Sequence, residues 1–275
     1  MGPQRFWTVL LAACVASCGA ATIEPARLSG ATDSEPVAAA IEGAAHGFPA
    51  LRDLEGQTLA EGEFTQWIDG DRLHVQIRYD FGGSHWIEER SVIRQEPVLV
   101  HERWSWEEVR DAAVQRRFDV DFLTGDAAAE KLEGGELHRW SAHLDVVPGQ
   151  AFAGAAWALA IKEVRARLVG GETIRFQTVG FTPAPRAATV EISHAGLDEL
   201  PMSGRTLTGD RFTIHPEVPW FARAFVEVPD SHIWLAHPPP AAFLRWEGPL
   251  AEPDDSLVRV DLLPGEPSGP AAPAP

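Results

Sequence analysis

The chain has 275 residues and a net charge of -17, from 23 Lys and Arg against 40 Asp and Glu. Hydrophobic residues make up 45% and charged residues 23%, which excludes global disorder and leaves ample material for a core. The acidic balance, without any long basic run, excludes nucleic acid as an electrostatic partner.

In chain order, the first element is an address. Residues 1–18 read MGPQRFWTVLLAACVASC, with Arg5 in a short positive region and an apolar stretch over residues 6–16. That stretch is too short to span a bilayer and suits a secretory signal. Val15-Ala16-Ser17-Cys18 resembles the lipobox of bacterial lipoproteins: a branched apolar residue, two small residues, then the cysteine that is acylated. Leu11-Ala12-Ala13-Cys14 fits the same pattern, but cleavage there leaves an unusually short signal. The resemblance implies a signal peptide over 1–17, acylation of Cys18 with palmitate-like chains, and a membrane-anchored protein facing the periplasm. Gly19, where some inner-membrane lipoproteins carry Asp, favours the outer membrane. Both cysteines fall within the first 18 residues, so the mature chain would hold no free thiol and no disulfide.

Residues 18–48 are small, polar and punctuated by Pro and Gly, and read as a lipidated tether. A single β-rich domain is expected over 49–263, and the Pro-rich tail over 264–275 has nothing to bury. Inside the domain the dominant signal is period two. Leu73, Val75, Ile77, Tyr79 and Phe81 alternate with Arg72, His74, Gln76, Arg78 and Asp80, which predicts a half-buried antiparallel strand. Residues 64–68 join it through Asp69-Gly70, a hairpin signal. Further strands are predicted over 86–93, 98–106, 117–123 and 137–146.

Residues 151–169 break the pattern. Trp157, Ile161, Val164 and Leu168 follow helical spacing, with Lys162, Arg165 and Arg167 opposite and Gly170-Gly171 as a stop. Strands resume over 173–181, 187–192, 211–214, 232–235, 242–246 and 257–262, and residues 219–225 read as a short helix. The prediction is an α+β fold: about ten or eleven strands in a mainly antiparallel, strongly curved sheet, a half-barrel around one long α-helix. This order of elements, with closing strands SHIWL, AAFLRWEG and SLVRVDLL, resembles the bacterial lipoprotein carriers of the LolA/LolB type. The resemblance implies an apolar cavity that receives acyl chains. The long tail and Pro238-Pro239-Pro240 do not match that pattern.

Chemistry-bearing residues are sparse. His85, Ile87 and Glu89 share a strand face, and His101 falls on the next strand, so two histidines and a carboxylate are candidates for zinc or acid–base work. The helical H-x-x-x-H spacing is missing, and a solvated, charged cross-strand ladder is the better reading. Ser91, Ser105 and Ser203 stand in no nucleophile motif, and no phosphate-binding glycine loop is present. No cofactor and no metal are expected. The tryptophans (Trp86, Trp104, Trp106, Trp140, Trp157, Trp220, Trp234 and Trp246) suit an aromatic core or an apolar pocket. Trp157, Trp220, Phe221 and Phe225 are the candidate ligand-binding residues, the last three placed as a lid. The sequence therefore points to binding rather than catalysis. Two functions stand ahead of a hydrolase: an envelope protein that holds an apolar ligand or acyl chain, and a scaffold that contacts other envelope proteins.

Overall fold

The period-two segments assemble into one antiparallel sheet. The computed structural model describes residues 41–217 and 228–262, all within the unit Ser34–Pro275. A first meander comprises β1 (Ala45–Gly47), β2 (Ala50–Asp53), β3 (Thr58–Asp69), β4 (Arg72–Asp80) and β5 (Trp86–Arg94). It continues through β6 (Val100–Arg110), β7 (Ala113–Asp121), β8 (Asp126–Glu133) and β9 (Glu136–His143). The single helix among the described residues, α1 (Ala156–Val169), follows. A second meander holds β10 (Ile174–Phe181), β11 (Pro185–Met202), β12 (Arg205–Pro216), β13 (Ser231–Ala236), β14 (Phe243–Pro249) and β15 (Leu257–Asp261). Between β3 and β4 only Gly70 and Asp71 remain, and Gly70 has φ 63°, the left-handed backbone that a two-residue hairpin turn requires.

The strand order is β10 to β15, then β2 to β9, with β1 beside β3. The β15–β2 pairing welds the two meanders, while β9 and β10 are the end strands and do not pair with each other, so the sheet is open. It is also curved. Phe118 on β7 and Phe181 on β10 are eleven strand spacings apart in the order, roughly 53 Å in a flat sheet. Their rings stack at 4.4 Å.

Two departures from the sequence reading concern the first meander. Pairing starts at Ala45 on β1, and Gln95 exchanges hydrogen bonds with the Glu42 backbone at 2.7 and 3.0 Å. Ordered structure thus begins ahead of residue 49. Strand β8, sequence DAAAEKLE, has no β-branched or aromatic residue and gives little strand signal. Its neighbours on both sides impose it.

The helix is a correction. It has 14 residues and starts at Ala156, so the long helix expected from residue 151 is wrong. Ala151 instead forms a parallel bridge with Gln177, the Phe152 N–H donates to the Gln177 carbonyl at 3.0 Å, and Gly154 takes φ +53°. Tertiary pairing overrides an apolar, Ala-rich segment. The buried stripe is as expected: Trp157, Ile161, Val164 and Leu168 pack on Leu73, Val75, Ile93, Phe176, Ile192 and Phe212 of the concave face. The opposite side is tied down too. Lys162 Nζ donates to Glu42 at 2.6 Å, and Arg165 Nε donates to Asp210 at 3.0 Å.

Leu168 is fully buried, so Leu168→Ala should cost about 3 kcal/mol as a cavity substitution. A urea melt tests this, and a loss near zero would mean the helix does not pack on the sheet.

Candidate functional site

Register places each chemistry-bearing side chain on one face of the sheet. On the concave face, Ile77, Glu89, Trp106, Phe118, Ala129 and Trp140 form one cross-strand row. Glu89 accepts a 2.6 Å hydrogen bond from the Ala155 N–H, just ahead of α1. His101 accepts one at 3.3 Å from the Ala153 N–H through Nδ1. Burial raises the Glu89 carboxyl above the usual range, opposed by the Ala155 N–H and the Trp104 indole. Burial pushes the His101 imidazole down to about 3, and its ring stacks on Phe122 at 4.7 Å. The pair singled out for zinc or acid–base chemistry therefore anchors the entry to the helix. His85 lies elsewhere, 2.9 Å from Glu108. Among the described residues no group of three His, Cys, Asp or Glu side chains is placed to hold a metal ion.

Among the described residues, two buried clusters cover the rest of the concave face. On one side α1 covers it, and on the other Trp104, Trp106, Phe118, Phe122 and Phe181 form a second buried cluster. Residues 250–256, between β14 and β15, strap over this cluster through Leu250 and Ala251. Arg116 fastens the strap, reaching Glu252 at 3.1 Å and Asp255 at 2.8 Å while its Nε holds Glu108 at 2.9 Å. Lys131 adds a second bond to Glu252 at 2.9 Å. Removing one partner from such a buried group is costly, which keeps the strap shut.

A buried charge cluster sits under the helix end. Asp210, 1% exposed, accepts from Arg165, from His194 at 3.0 Å and from His237 at 3.2 Å. Burial alone would raise its carboxyl, but Arg165 and His237 hold it below the usual range. Sequence reasoning passed over Asp210, although it keeps the parity of the inward-facing Phe212 and Ile214.

The open surface is on the convex face. A groove of about 800 Å³ crosses β5 to β9. One row runs Arg90, Ser105, Asp119, Ala128, Ser141, and the next runs Val92, Arg103, Asp121, Asp126, His143. Alongside lies a charge ladder in which Arg117 pairs Glu107 and Glu130, and Arg139 pairs Glu130.

Of the candidate residues, Trp157 is a core residue, set against Phe152 and Phe176 at 5.7 and 6.1 Å. Cys18, Trp220, Phe221 and Phe225 lie outside the described residues, as does the short helix predicted over 219–225. Ser105 lines the outer groove. No described helix is long and apolar enough to cross a membrane.

The fold and the site define an open, curved antiparallel sheet with a packed concave face and an open convex groove. No family model matches the chain, and no curated protein matches it. Among solved structures it is similar to the hypothetical lipoprotein YmcC from Escherichia coli, at 12% identity and a TM-score of 0.34, covering 84% of this chain and 85% of that one. It is also similar to a beta-barrel-like protein of domain of unknown function DUF1849 from Brucella abortus. That likeness has 8% identity and a TM-score of 0.44, over 82% of this chain and 98% of the other.

Proposed function

We propose that this is an exported envelope protein, acylated at Cys18 and held at the outer membrane, that acts as a scaffold for another envelope protein. The observation that carries the reading is the contrast between the two faces of the sheet. On the concave face α1 and the aromatic cluster occupy the space an acyl chain would need, since close-packed side chains leave no room. On the convex face a groove of about 800 Å³ stands open. The address comes from the VASC segment, and two or more acyl chains give the stable anchoring such a scaffold needs.

A second reading keeps the apolar ligand. The aromatic cluster beneath the strap would admit an acyl chain on release of Arg116 from Glu252 and Asp255. Trp104, Trp106 and Phe181 would then line the space.

One experiment separates them. The full chain in detergent is titrated with N-phenyl-1-naphthylamine and examined by native mass spectrometry for bound lipid. The scaffold reading expects no saturable uptake and no lipid. Saturable binding in the micromolar range, roughly -8 kcal/mol, displaced by a fatty acid, would transfer the case to the second reading. In cells, Cys18→Ala should move the protein to the soluble periplasmic fraction; continued membrane association would sink the anchoring.

A further inference from the structure

We infer that the convex groove over β5–β9 is a docking site for an extended, lysine- or arginine-bearing segment of a partner protein, with Asp119 as its counter-charge. The inference rests on the scaffold reading and names the chemistry of the partner.

The groove is a trough by construction. Beyond Arg90, one of its rows carries short side chains: Ser105, Asp119, Ala128 and Ser141. The groove lies between this row and that of Val92, Arg103, Asp121, Asp126 and His143, two residues away on the same face, roughly 7 Å. From β5 to β9 the trough runs across four strand spacings, roughly 19 Å. Those dimensions suit one extended chain laid across the strands.

Charge bookkeeping then picks out one residue. Arg90 pairs with Glu88 at 2.5 Å, Arg103 with Asp121 at 3.2 Å, and His143 with Asp126 at 3.1 Å. On the adjacent ladder, Glu107, Arg117, Glu130 and Arg139 satisfy one another. Among the charged residues that line the groove, only Asp119 has no ion pair and no hydrogen bond within the described structure. It stands at the middle of its row, directly beside Ser105 and one strand beyond Ala128 from Ser141. Asp119 is exposed on the groove, with Arg117, Glu107 and Glu130 as its charged neighbours. A primary ammonium or guanidinium answers that carboxylate, and the two serine hydroxyls take its remaining donors.

The lining argues against a sugar. The outward-facing groove residues include no aromatic ring on which a pyranose face would stack; Trp104 belongs to the concave cluster. A second copy of this chain is also a poor match for an acidic floor, given its net charge of -17.

The test uses the full chain in detergent and three defined probes: fluorescein-labelled (Ser-Lys)4, (Ser-Glu)4 and a chitin tetramer. Fluorescence anisotropy should show saturable binding of (Ser-Lys)4 alone, weakened by salt. Hydrogen exchange should slow at residues 105, 119, 128 and 141. Asp119→Asn should weaken binding about tenfold, the worth of one charge-assisted hydrogen bond. Asp126→Asn, in which the lost carboxylate was already paired with His143, should change it less than about twofold. Asp119→Lys should invert the preference to (Ser-Glu)4. Equal losses in the two Asn variants would mean diffuse acidity and would overturn the site, as would protection elsewhere, preference for the chitin tetramer, or self-association through this face. The naphthylamine titration decides the scaffold reading independently, so failure of the site and failure of the reading give different results.

Discussion

Replacing Gly154 with Ala should destabilise the fold by about 4 kcal/mol and loosen the start of α1. Two costs add. At φ +53° an L side chain is held in the left-handed region, which costs about 1 kcal/mol or more. A methyl group there also overlaps the Glu89 carboxylate and abuts the Trp104 indole nitrogen, both fixed in the packed concave face. Overpacking of that kind costs about 1–3 kcal/mol, and here it also displaces the Glu89 bond to the Ala155 N–H. The readouts are a urea melt and hydrogen exchange over residues 155–160. Glu89→Ala in the same chain removes the overlap, so the double variant should lose less than the sum of the single losses by about 1 kcal/mol. A Gly154→Ala loss below about 1 kcal/mol would show that the segment gives way and that Glu89 does not fix the helix entry.

That segment also shows where the sequence stopped being readable. The stripe Trp157, Ile161, Val164 and Leu168 repeats at helical spacing, so its buried side was legible without coordinates. Where the helix starts was not. Residues 151–154 are as apolar as the helix itself, and what keeps them extended is Gln177, with His101 and Glu89 fixing the N–H groups of Ala153 and Ala155, all more than twenty residues away in sequence. The strands with clean alternation, such as residues 73–81, were legible for the same local reason. Strand β8 was not, since alanine suits any environment and its neighbours decide. Without β8 the outer rows cannot be assembled, so the trough was invisible: Asp119 is one acidic residue among 40 until register places Ala128 and Ser141 beside it. His101 and Glu89 were visible as chemistry but misassigned in role, because a buried hydrogen bond to a distant backbone N–H has no local signature.

Acid should unfold the protein through His101, and the pH window follows from its environment. In the folded chain burial holds the imidazole neutral down to about 3, against an ordinary value of 6.5. Its Nδ1 faces the Ala153 N–H, a donor, so a proton on that nitrogen would break the bond that pins the segment. The unfolded chain has no such restraint and takes up the proton from 6.5 downward. Stability contributed by His101 is therefore complete above 6.5 and falls as the pH drops toward 3. Each pH unit in that window costs the folded state about 1.4 kcal/mol, so about 4–5 kcal/mol has gone at the lower end. Glu89 works in the opposite sense, because burial raises its carboxyl and the folded chain binds that proton more readily than the unfolded chain. Comparison with His101→Gln isolates the histidine, since the Gln carbonyl oxygen still accepts from the Ala153 N–H and does not titrate. Urea melts between pH 7 and pH 4 should show the natural chain losing stability faster than the variant, by about 1.4 kcal/mol per pH unit. Parallel curves would mean that His101 is protonated in the fold and that its ring is not sealed between Phe122 and the 151–155 segment.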